Sequence, residues 1–80
     1  MQDRQPIDLY TANIQGTFHV ASVPPIPLLG NMGLRPGTRV TIQNRYFLGG
    51  PVLLRVEGAY DLALGKDIAR QIAVQEISAP

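Results

Sequence analysis

The side chains that could do chemistry in this chain are few and scattered. One histidine, His19, lies near Thr17 and Ser22. A catalytic nucleophile needs a base within hydrogen-bond reach and a third group to orient that base, and these three residues form no such motif. The carboxylates Glu57, Asp61, Asp67 and Glu76 occur singly. Glu57 and Asp61 straddle an expected hairpin and could approach one another. Open transition-metal sites favour clustered histidines and carboxylates, and no second histidine exists to complete a facial triad with that pair. Cysteine is absent, which excludes disulfides, thiolate zinc sites, iron–sulfur clusters and thiol catalysis. Neither GxxxxGK[ST] nor GxGxxG occurs, so no phosphate cradle is visible. The expectation is a protein with no catalytic residue, no cofactor and no tightly held metal.

Surface contacts are the better prospect. Arg35, Arg39 and Arg45 are expected on one side of a hairpin, with Tyr46 beside them. Small β domains can bind single-stranded nucleic acid through basic grooves and aromatic stacking, but seven basic against six acidic side chains leave a formal charge of only +1. Phosphate neutralisation calls for a stronger bias. A docking patch for an acidic or mixed protein surface fits this balance better. The apolar surplus points the same way. Tyr46, Phe47 and Leu48 fall in a turn region, Met32 and Leu34 at a helix–turn junction, and Leu53 on the outward face of a strand. Exposed apolar clusters often mark partner surfaces. The competing reading is that the short helix and the loop fold over each other and cap the core.

The elements that must position these residues follow from hydrophobic period. "GTFHVASV" alternates, with Phe18 and Val20 on one face. Pro24, Pro25 and Pro27 then bar a strand interior and make "VPPIP" a rigid connection. Leu28 to Met32 suits one helical turn, ended at Gly33. "RPGT" reads as a tight turn, with Pro36 presetting its first corner and Gly37 free to take positive φ. In "TRVTIQNR", Val40 and Ile42 point inward and Arg39, Thr41, Gln43 and Arg45 outward. "VLLRVEG" buries Val52, Leu54 and Val56; "EGAY" links it to "AYDLALG", with Tyr60, Leu62 and Leu64 inward. "KDIARQ" fits a short helix and "IAVQEI" a last strand. About five short strands with one or two short helices predict a small, mainly β barrel, whose closure would remove exposed edges.

Eighty residues make one domain with one core. Residues 1–8 are read as a flexible N-terminus and 9–80 as the single barrel domain. "MQDRQPIDLY" has no apolar h-region, and no stretch reaches the length needed to span a bilayer.

The motifs "GLRPGT", "LGGP", "LLRVEG", "LALGKDIA" and "QI", in that order, resemble the FeoA family of small bacterial proteins. The resemblance covers residues 28–77, and the strand at 16–22 fits the family's first strand. It implies an SH3-like β-barrel and a cytoplasmic accessory role beside FeoB, the membrane ferrous-iron transporter with a cytosolic GTPase domain. The same barrel also occurs as the C-terminal domain of iron-dependent repressors. The chain departs from the family where prolines and Gly30 replace much of the first helix, where Gly50 replaces a loop aspartate, where Gly65 replaces an arginine, and where Leu53 replaces a polar residue.

The expected function is therefore protein–protein docking on the cytosolic part of a FeoB-type transporter, tuning iron uptake without chemistry. Contact with a membrane would come only through that partner, and nucleic acid is not expected. The expected contact is Met32, Leu34, Tyr46, Phe47 and Leu48, rimmed by Arg35, Arg39 and Arg45. The second expectation is an SH3-like regulatory domain that acts with an iron-dependent repressor or binds nucleic acid.

Overall fold

Alternating apolar residues build the sheet. The computed structural model describes residues 6–46, 48–57 and 60–77. The strands are β1 (Ile7–Asp8), β2 (Thr17–Ser22), β3 (Arg39–Arg45), β4 (Val52–Val56), β5 (Asp61–Leu64) and β6 (Ala73–Glu76), with helices α1 (Pro27–Asn31) and α2 (Lys66–Ala69) between them. They pair antiparallel in the order β1-β6-β2-β3-β4-β5. Phe18 faces Val40, and Val40 faces Val56. Ile42 faces Leu54, which faces Leu62. Val20 faces Val74 on the other flank. Leu9, Leu34 and Ile72 belong to the same buried cluster.

This is the mainly β architecture of short strands that the alternation predicts, and it is SH3-like as the family resemblance implies, with two differences. Among the described residues there are six strands rather than about five, because Ile7 and Asp8, within the segment expected to be a flexible N-terminus, pair with Val74 and Ala73. The sheet also does not close: among the described residues no ladder joins β1 to β5. Its edges are limited by length instead, β1 having two residues and β5 four, and short edge strands offer little template for foreign pairing.

Two side chains depart from the period-two expectation. The alternation places Tyr60 on the inward face, yet it precedes β5, is 44% exposed, and donates its phenol O–H to the Met32 carbonyl. A phenol keeps its polar tip where an acceptor lies. The same alternation places Arg45 outward. The β3–β4 ladder runs Ile42 to Leu54, then Asn44 to Leu53 and Arg45 to Val52. A β-bulge at Gln43 thus inserts one residue and reverses the parity beyond it. Arg45 ends opposite buried Val52, on the core side of the sheet. The hairpin link "EGAY" includes Gly58 and Ala59, which lie outside the described residues.

The turns do as their composition demands. Pro27 opens α1, Leu29 is its buried residue, and Gly33 follows with φ of 87°. The Thr38 N–H donates to the Arg35 carbonyl at 3.0 Å across Pro36 and Gly37, whose φ is 94°. Gly37 thus holds the second corner of a type II turn. Gly30, inside α1, has ordinary φ and open space where a Cβ would stand. Gly37→Ala should lower stability by about 1–2 kcal/mol through the left-handed corner. Gly30→Ala should raise it by about 0.5–1 kcal/mol through helix propensity. Thermal melts of the two variants check the pair, and equal signs would refute the assignment.

Candidate functional site

The residues expected to form one patch occupy two ends of the molecule. From Arg39 to Arg45, β3 runs for about 20 Å at roughly 3.3 Å per residue. At the Arg39 end the apolar residues serve the core. Leu34 is fully buried, which removes it from the expected contact surface, and Met32 packs against the core partly buried. Arg35 donates to the Gly30 carbonyl at 3.2 Å, and Arg39 pairs with Glu57 at 3.0 Å. At this end α1 covers the core through Leu29 and Met32, but the Tyr46–Leu48 loop, expected to fold over the helix, lies at the other end of β3. The "VPPIP" segment passes here as one wall of a shallow apolar groove of about 380 Å³, facing Leu34, Arg35 and Pro36.

The other end presents its apolar residues to solvent. Tyr46 is 48% exposed, and its N–H donates to the Pro51 carbonyl across the loop at 3.1 Å. Leu48 is 104% exposed and has φ of 62°. Left-handed backbone costs a residue with a Cβ roughly 1–2 kcal/mol, and a fully exposed leucine recovers nothing by burial. Gln15 is the other described non-glycine residue with positive φ, at 69°; Leu48 differs from it in being a large apolar side chain wholly in solvent. Phe47 lies outside the described residues.

Beneath this loop sits a cluster that sequence spacing does not reveal. Arg45, turned inward by the bulge, donates from its guanidinium to the Ala12 carbonyl and stands over the Tyr10 ring, 5.9 Å from its centroid. The Lys66 ammonium, from the start of α2, lies 5.5 Å from the same centroid. Lys66 also lies under the loop, its Cδ 3.8 Å from where a Cβ on Gly49 would stand. The Arg45 Nε is buried without a hydrogen-bond partner. Tyr10 and Lys66 are 56 residues apart in sequence, and only the fold brings them together.

The other residues considered for chemistry, His19, Thr17, Glu57 and Asp61, do not gather at one site. His19 is exposed and lies across from Arg39 on one side and Gln75 on the other. The Thr17 hydroxyl is 3.3 Å from that of Thr41. Glu57 and Asp61, which could have met across their hairpin, are each drawn to an arginine, Asp61 to Arg55 at 2.8 Å. The hydrogen bond from Arg55 holds the Asp61 carboxyl below its ordinary range, and its charge adds to this. Among the described residues no three histidines or carboxylates gather where a metal could bind.

A family model for the FeoA domain matches residues 8–76. A crystal structure of an iron uptake regulatory protein, FeoA, superposes with a TM-score of 0.80 at 23% identity, over 91% of this chain and 99% of that one. The NMR structure of a FeoA-like protein from Clostridium acetobutylicum gives 0.80 at 25% identity, over 99% and 94%. A manganese-dependent transcriptional repressor complexed with manganese gives 0.84 at 17% identity, over 95% of this chain but 39% of that one. No curated protein sequence matches this chain.

Two measurements check the electrostatics. Arg45→Ala should cost about 1–3 kcal/mol, because it strips a partly buried hydrogen bond from the Ala12 carbonyl, whereas Arg39→Ala, at an exposed pair, should change stability by under about 1 kcal/mol. Chemical denaturation of both variants decides whether the two arginines differ. The depressed Asp61 carboxyl stabilises the fold above its unfolded pKa, and that contribution is lost as pH falls through the lower folded one. Asp61→Asn should therefore reduce the acid-side slope of stability against pH. An unchanged slope would mean that the pair with Arg55 does not persist in solution.

Proposed function

This chain belongs to the FeoA family, and from that premise we propose that it is a cytoplasmic accessory protein of ferrous-iron uptake that docks on the cytosolic part of a FeoB-type transporter. It acts by surface contact and performs no chemistry of its own. Leu48 is the observation that carries this reading: a leucine wholly in solvent, in a backbone conformation that favours glycine, on a loop with half-exposed Tyr46. Fold stability alone would select glycine there. The contact is drawn from Tyr46, Phe47 and Leu48 together with Arg45; Leu34 is buried and takes no part in it, and Met32, Arg35 and Arg39 lie towards the other end of β3. The dispersed polar residues suit a binding module better than an enzyme. No helix among the described residues is long and apolar enough to cross a membrane. In this reading contact with the bilayer comes through the transporter. The likeness to repressors is one of fold, at 17% identity, and adds no support for the regulatory alternative.

Leu48→Gly separates folding from docking. Relief of roughly 1–2 kcal/mol of backbone strain is offset by the larger unfolded-state entropy of glycine, about 0.5–1 kcal/mol. The melting temperature should stay level or rise. Binding to the cytosolic part of the cognate transporter, followed by amide shifts in labelled protein, should be lost. Unchanged binding by a folded Leu48→Gly variant would overturn the loop assignment.

A further inference from the structure

We propose that the surface around Leu48 receives an acidic protein segment, whose carboxylates settle on Arg45 and Lys66 while an apolar side chain of the same segment packs on Leu48 and Tyr46. This rests on the docking reading above and adds the chemistry of what docks.

Charge carries the argument. Elsewhere on the sheet the arginines are compensated, Arg39 by Glu57 at 3.0 Å and Arg55 by Asp61 at 2.8 Å. Arg45 and Lys66 have no acidic partner among the described residues, although both lie within 6 Å of one ring centroid. Two like charges repel, and here they are held by other means. Arg45 is pinned by the bulge, the Ala12 carbonyl and the Tyr10 face. Lys66 is set by the start of α2 and by Tyr10. A cation already fixed in place loses little freedom when a carboxylate arrives. Arg45 remains partly exposed, while its Nε is buried with no acceptor.

Other occupants fit less well. A second copy joined by a two-fold contact at this loop would bring four cations together. A lipid surface needs a stronger anchor, since even one acyl chain binds only marginally without a second signal. One leucine and two cations fall short of that. An acidic segment needs only a local contact, with an aromatic residue and an arginine at its centre.

The test is an amide-shift titration of the labelled full chain with three probes. They are a glutamate-rich peptide carrying one leucine, the same peptide with lysine for glutamate, and vesicles of phosphatidylcholine with phosphatidylglycerol. The acidic peptide should shift Tyr10, Arg45, Tyr46, Leu48 and Lys66, and the basic one should not. Lys66→Met keeps the apolar stem under Gly49 and removes the charge; it should weaken the acidic peptide by about tenfold, as should raised salt. Equal response to both peptides, shifts that cluster elsewhere, or loop broadening with vesicles alone would each overturn the proposal. A parallel titration with the transporter's cytosolic part separates the two readings. Binding there that Lys66→Met leaves intact keeps the docking reading and refutes the acidic occupant. Peptide binding without transporter binding refutes the docking partner and keeps the site's chemistry.

Discussion

Phe18, Val40 and Val56 stand side by side across three strands, and Ile42, Leu54 and Leu62 form a parallel row. Those rows are the constraint on which the other elements depend. A chain of 80 residues has one core, and a slip of one residue in any central ladder would turn a whole apolar row to solvent. Register in the centre is therefore strongly specified. The helices and turns are fitted around it, with Leu29 from α1 and Ala69 from α2 inserted as buried contacts.

The bulge at Gln43 is the one place in β3 where that register is broken. Up to Ile42 the strand alternates as a sheet facing a core must. One residue later the alternation reverses, and a charged side chain takes a position that continued alternation would have given to Asn44. Burying an arginine end is costly unless hydrogen bonds meet it. Here the Ala12 carbonyl and the Tyr10 ring meet it in part. Bulges commonly re-aim a side chain at the rim of a sheet, and this one aims a cation beneath the exposed loop.

The two ends of β3 consequently differ in character. At the Arg39 end, α1 and the type II turn close over the core, and the arginines there are satisfied by Glu57 or by the Gly30 carbonyl. At the Arg45 end the loop returns to β4 through two successive positive-φ residues, Leu48 and Gly49. It leaves leucine and tyrosine in solvent above two cations without a carboxylate among the described residues. Apolar side chains that look equivalent in sequence, Leu34 and Leu48, are thereby divided between core and surface.

The residue order by itself determined the mainly β class, the inward faces of β2, β3 as far as Ile42, and β4, the turn at Arg35–Thr38, both short helices and the family. Each rests on local chemistry: period-two alternation, the fixed φ of proline, and the freedom of glycine. The tertiary structure decided the rest, because it depends on contacts between distant residues. Whether the sheet closes depends on what β1 and β5 meet, and their own side chains do not state it. Tyr60 follows the alternation of its strand in sequence but lies just outside the strand, drawn to the carbonyl of Met32, 28 residues away. A bulge is a property of two strands and not of one, so the parity of Arg45 could not be counted along its own segment. The meeting of Tyr10, Arg45 and Lys66 needed the loop before β2, the end of β3 and the start of α2 to be folded together.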